Sequence, residues 1–70
     1  MSYLSDRLCE MRNERKQSRK EVSEALGIAE RSYQRYENAE REPTASVLVK
    51  MADYYGVTTD YLLGRTDRRE

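Results

Sequence analysis

The 70-residue chain has no histidine, one cysteine, one proline and three glycines. Each shortage removes a class of function. With no histidine and only Cys9, no His/Cys spacing exists that could hold a structural or catalytic zinc, and no imidazole is present to act as a general base. Gly27, Gly56 and Gly64 are too widely spaced to form a glycine-rich phosphate loop. An enzyme is therefore not expected, and neither is a metal or other cofactor. A lone cysteine cannot close an internal disulfide, which fits a reducing compartment. No apolar run approaches the ~20 residues of a membrane span, and Met1 to Asp6 has neither the basic start nor the apolar stretch of a signal peptide. The expectation is a cytoplasmic chain without membrane contact. A positive excess is missing too. Thirteen Lys and Arg balance thirteen Asp and Glu, unlike the basic surface of a general nucleic-acid coat.

What is present suits one small helical domain. A chain of this size buries only ~60% of its extended surface, so its core has to be compact. Its charge is neutral in sum but unevenly placed. Arg12, Arg15, Lys16, Arg19 and Lys20 face only Glu14 between residues 11 and 20, a local balance of +4, whereas residues 21 to 42 carry −3. The basic run is either an electrostatic attachment point or an ordinary solvated helix end. No strand pattern, internal repeat or low-complexity segment is visible.

The most informative stretch is Ser18 to Asn38. Ser18 and Glu21 have the S-x-x-E spacing of a capping box, in which each side chain accepts from the other residue's backbone N–H. Val22, Ala25 and Leu26 then form a narrow apolar stripe, and Gly27 closes the first helix. A second helical pattern starts near Glu30. At ~100° per residue, Glu30, Gln34, Arg31 and Arg35 span roughly 0 to 140°, while Ser32, Tyr36 and Tyr33 occupy roughly 200 to 300°. One face is small and aromatic, with the tyrosine hydroxyls expected at its rim or reaching for phosphate. The other carries a carboxylate, an amide and two guanidiniums. Two short helices joined at a glycine, with a polar second helix, describe a helix-turn-helix.

Around this unit, helix one is expected from about Tyr3 to Arg15, capped by Ser2, with Leu4, Leu8 and Met11 buried and Cys9 at the edge. Pro43 stops any continuation from upstream. Thr44 should cap helix four, in which Leu48, Met51, Ala52 and Tyr55 recur at i, i+3, i+4 and i+7. Gly56 should end it, with Val57 folded back onto the core. Thr58 should cap a short helix five containing Asp60 and Leu62 and ending at Gly64. The domain is expected over residues 1–64, followed by a flexible polar tail at 65–70.

The ordered set Ser18, Val22, Leu26-Gly27-Ile28, Arg35-Tyr36-Glu37-Asn38, Arg41-Glu42-Pro43-Thr44, Ala52, Gly56-Val57 and Tyr61-Leu62-Leu63-Gly64 resembles the Cro/CI-type, or XRE, prokaryotic regulators over residues 4 to 64. The resemblance implies an all-α, compact five-helix lambda-repressor-like domain that binds double-stranded DNA as a homodimer; with no second domain read in these 70 residues to sense one, no small-molecule ligand is expected. It implies that helix three enters the major groove with Glu30, Arg31, Gln34 and Arg35 toward the bases. Arginine suits guanine, glutamine suits adenine and glutamate can accept from cytosine. For Glu30 the helix dipole offers another explanation, and for Arg31 and Arg35 phosphate contact or plain solvation does. Ser18, Arg19, Asn38, Arg41 and Thr44 fall where the family touches phosphate, although Asn38 and Thr44 also read as a turn amide and an N-cap.

Four departures from the family pattern carry expectations. Lys16 and Gln17 replace a glycine and an apolar residue, so helix one should end less sharply and its exit should be more mobile. Ala29 replaces a capping serine, Ala39 replaces a glycine, so that the backbone there should be mildly strained or differently shaped, and Arg19 replaces a glutamine. Tyr54, Tyr61 and Leu63 are the exposed apolar residues expected at a dimer surface. Related domains also serve as antitoxins or protein-interaction adaptors, and the zero net charge leaves that second reading open.

Overall fold

The computed structural model describes residues 3–70, in which five helices follow one another: α1 (Tyr3–Glu14), α2 (Arg19–Leu26), α3 (Glu30–Glu37), α4 (Ala45–Tyr55) and α5 (Thr59–Leu62). No strand occurs among the described residues. Ser2, the expected cap of α1, lies outside them. The other caps form where the sequence places them. Ser18 Oγ accepts from the Glu21 N–H at 3.1 Å while Glu21 accepts from the Ser18 N–H at 2.9 Å. Thr44 and Thr58 accept from the N–H groups of Val47 and Tyr61. Side-chain caps of this kind stabilise a helix start by ~1 kcal/mol each, which matters when α2 and α5 are too short to persist alone.

The core gathers one stripe from each helix. Leu4, Leu8 and Met11 of α1 meet Val22 and Leu26 of α2, Tyr33 and Tyr36 of α3, Met51, Ala52 and Tyr55 of α4, and Tyr61 and Leu62 of α5. Ile28, Leu48 and Val57 pack against its edge. α1 lies against α3 and α5, and α2 lies against α3 and α4. This arrangement leaves α3 held from behind by α1 and α2.

Several local expectations change. On α2, Ala25 is exposed and Ser23 is buried instead, so the inward arc is turned toward Ser23. A serine fits there because its Oγ donates to the Lys20 carbonyl at 2.9 Å and leaves nothing unpaired. Helix α1 ends sharply despite lacking glycine. Lys16 takes φ +55°, and the Gln17 N–H closes back onto the Arg12 carbonyl at 3.2 Å. That closure needs only one left-handed residue, which a lysine can occupy at some strain. Tyr33 is fully buried, hydroxyl included, and the hydroxyl pairs with that of Tyr55 at 2.6 Å rather than sitting at a rim. Burial raises the Tyr33 pKa above its ordinary value and pushes Tyr55 up to about 12.

The expected dimer surface dissolves in part. Tyr61 is buried and Tyr54 is half-buried, its hydroxyl donating to Gln17 Oε1 at 2.9 Å. Of the three residues, only Leu63 is exposed. The Arg7 guanidinium stacks on the Tyr61 ring at 4.0 Å and donates to the carbonyl oxygens of Tyr61 and Thr66. Residues 65–70 lie back along α1 and α5. Arg69 pairs with Glu14 at 2.7 Å and Glu10 at 3.2 Å, and its carbonyl accepts from the Thr58 N–H.

Candidate nucleic-acid interface

Gly27 sets the geometry of the two-helix unit. Its φ of +72° turns the chain out of α2, and the Ile28 N–H bonds back to the Ser23 carbonyl at 3.0 Å. A left-handed residue is required here, and glycine takes it without a Cβ penalty. The turn is then short enough that Ile28 still reaches the core and α3 begins within three residues. Its cap position, Ala29, has the extended backbone of an N-cap but no side chain to accept, so the α3 start lacks the bond that α2, α4 and α5 have.

Helix α3 has two unlike faces. Tyr33, Tyr36 and Glu37 are buried, while Glu30, Arg31 and Gln34 are exposed and Arg35 is half-exposed. Among the described residues, Arg31, Arg35 and Arg41 make no ion pair, side-chain hydrogen bond or ring contact. The four residues expected to meet bases therefore lie on one accessible strip of a rigid, back-supported helix. Their side chains are not consumed by the fold.

The five residues expected at phosphate are more varied. Ser18 Oγ and Thr44 Oγ1 are already cap acceptors, and Thr44 Oγ1 also lies 3.2 Å from the Ser46 hydroxyl; a capping hydroxyl still has a proton to donate, which at Ser18 has no other partner among the described residues. Asn38 is exposed at the end of α3, and Arg41 is exposed in the loop beyond it. Ala39, between them, has φ +59°, the strained backbone expected of an alanine in a glycine position. Arg19, at the start of α2, is not free. Its Nε donates to Glu37 Oε1 at 3.1 Å.

Glu37 is the residue that sequence reasoning missed. Its side chain is 1% exposed and is held by Arg12 through Nε to Oε2 at 2.7 Å and Nη2 to Oε1 at 3.1 Å, with Arg19 as a third donor. Burial works to raise its pKa, but hydrogen bonds from Arg12, Tyr33 and Arg19 outweigh that and leave the carboxyl below its ordinary value. Helical phase gives no signal for this: at ~100° per residue Glu37 falls at roughly 340°, between exposed Glu30 and buried Tyr33, at the border of the two faces. The basic run is correspondingly less available than its +4 balance implies. Arg12 and Arg19 pair with Glu37, and Arg15 lies over the rings of Tyr54 and Tyr55 at 5.0 and 5.2 Å.

Comparison with known proteins gives a consistent picture. The helix-turn-helix family matches residues 10–62. The HTH-type transcriptional regulator AnsR of Bacillus subtilis is 37% identical over 65 residues, covering 93% of this chain and 56% of the relative. The regulator ImmR of the same organism is 38% identical over 64 residues, covering 91% and 50%. The cryptic phage CTXphi transcriptional repressor RstR of Vibrio cholerae is 34% identical over 62 residues, covering 89% and 55%. The chain thus spans about half the length of the curated relatives it matches.

Proposed function

This chain belongs to the Cro/CI-type helix-turn-helix family, and from that premise we propose that it is a sequence-specific DNA-binding transcriptional regulator, acting as a repressor. In this reading α3 lies in the major groove and α2 crosses the sugar-phosphate backbone. Arg31 and Arg35 offer bidentate pairs to guanine, Gln34 to adenine, and Glu30 an acceptor for cytosine N4. Ser18, Arg19, Asn38, Arg41 and Thr44 fix the register through phosphate. The observation that carries the proposal is the strip of four polar side chains on α3, left without intramolecular partners in a domain whose buried polar side-chain atoms, among the described residues, are all satisfied. The names of the relatives support a regulatory role, and that of RstR supports repression.

The operator is a pseudo-palindrome read by two copies. The domain's longest extent is 28 Å, shorter than the ~34–36 Å between adjacent half-sites, so one copy covers one half. Selection from a random duplex pool, followed by fluorescence anisotropy over a salt series, tests the reading. The expected result is an enriched inverted repeat whose affinity falls with a log–log slope of about −0.9 per phosphate neutralised. Equal affinity for every duplex, or none for any, would overturn it.

A further inference from the structure

We propose that Glu37 is a positioning residue that holds Arg19 in place to grip a DNA phosphate. The proposal rests on the DNA-binding reading above and deepens it at one contact.

The argument starts from which nitrogens are committed. Arg12 spends its whole guanidinium inside the domain: Nε and Nη2 on the two Glu37 oxygens, and Nη1 on the Gln17 carbonyl at 3.0 Å. Arg19 commits only Nε, and its two terminal nitrogens have no partner among the described residues. The side chain of Arg19 is 38% exposed, against 13% for Arg12. A guanidinium is a planar fork, so anchoring its Nε edge on a buried carboxylate aims the terminal N–H groups outward.

The charge distribution points the same way. Two cations share one anion, and Arg12 already neutralises that anion from the inside. The surplus positive charge therefore lies at the exposed end, on Arg19. Glu37 also precedes Asn38, so this one carboxylate ties the start of α2 to the end of α3, the two segments proposed to meet the backbone. A surface arginine without such an anchor would lose rotamer freedom on binding, and this one is ordered beforehand.

A double-mutant cycle on the selected operator tests this, with circular dichroism establishing that each variant is folded at the assay temperature. Arg19→Gln should weaken binding roughly tenfold and make the salt slope shallower by about 0.9. Glu37→Gln should weaken binding several-fold when Arg19 is present and less than about twofold in the Arg19→Gln background, the non-additivity of two residues acting as a unit. Arg19→Lys should keep the salt slope yet bind several-fold more weakly, because a single ammonium lacks a second edge for phosphate. An equal loss from Glu37→Gln in both backgrounds would reduce Glu37 to a support of the fold and overturn the proposal. So would Arg19→Lys binding as tightly as the wild type, and that variant decides the matter if Glu37→Gln does not fold. A wild-type chain with no salt-dependent affinity for any duplex would overturn the DNA-binding reading itself, and this inference with it.

Discussion

The two faces of α3 are built from the same eight residues under opposite rules. On the inner face every polar atom is accounted for. The Tyr33 hydroxyl meets Tyr55, and Glu37 accepts from two arginines. On the outer face an arginine and a glutamine stand exposed, with a second arginine half-exposed, and the guanidiniums have no intramolecular partner among the described residues. Buried polar groups must be paired or they destabilise the fold by ~1–3 kcal/mol each, so folding requires the inner pairs whatever else Glu37 does through Arg19. The outer groups are under no such constraint. Their number, and their presence on one firmly backed strip, are not required by folding and fit the proposed reading of DNA. The difference separates residues whose loss should reach stability from residues whose loss should reach binding.

The largest effect expected is on the inner face. Glu37→Ala leaves two guanidiniums facing an empty, largely buried site, and loss of one partner of such a group typically costs about 3–5 kcal/mol. Chemical denaturation at neutral pH measures it. The pH dependence follows from the sign of the shift. The folded Glu37 carboxyl titrates below its ordinary value of 4.5, so its contribution is fully present above about pH 4.5 and is lost as pH falls through the lower folded value. The wild type should lose this stability in acid, and Glu37→Ala should lack that part of the decline. A loss under 1 kcal/mol would place Glu37 with the outer residues and break the comparison.

On the outer face, Arg31→Ala should do the reverse. Stability should change by less than about 0.5 kcal/mol, as for an exposed residue away from caps and ion pairs. Discrimination at one base pair of the operator should fall by ~1–3 kcal/mol, the worth of a bidentate pair. Affinity for the full panel of single-base operator variants measures this. A uniform loss across the panel would assign Arg31 to phosphate instead.

These two outcomes also mark how far the sequence was legible. All five helices, the Ser18, Thr44 and Thr58 caps and the aromatic inner face followed from local rules, because capping and helical periodicity act over three or four residues. The misses were tertiary. Ala25 and Ser23 differ by where the neighbouring helices lie, which α2 alone does not encode. Tyr61 is expected to be exposed from sequence, but Arg7, from the opposite end of the chain, covers its ring. The +4 run and the −3 segment are counted apart along the chain, although Arg12 and Arg19 from one neutralise Glu37 from the other. Opposite charge runs in a small domain can be partners, and the phase of Glu37 along α3, at the border of its two faces, does not reveal that they are.

Smaller effects come from the ends of α3, where neither face is touched. Ala29 already has the extended φ of −68° and ψ of 141° of an N-cap, so Ala29→Ser should add the missing bond and stabilise by ~1 kcal/mol. Glu30 at the helix start supplies part of this through the dipole, which sets the gain toward the low end. Operator affinity should hold or rise slightly, because the strip is carried on a firmer helix with no contact altered. A thermal melt without a rise would mean that the α3 start is already satisfied in another way.

The smallest expected effect is at the other end. Ala39 takes φ +59° while the Glu40 N–H closes onto the Arg35 carbonyl at 2.9 Å. An L-residue in that region is strained by ~1–2 kcal/mol, which Ala39→Gly would relieve. The glycine would also give the unfolded chain more freedom, an opposing ~0.4–1 kcal/mol. The net gain is then about 0.5 kcal/mol, or a rise of roughly 2–4 °C in Tm for a domain of this size. Because Ala39 lies between Asn38 and Arg41, operator affinity reads out a second quantity. If strain at this residue fixes where those two side chains stand, the more stable variant should bind more weakly. If affinity is unchanged while Tm rises, the strain serves neither face and is simply tolerated.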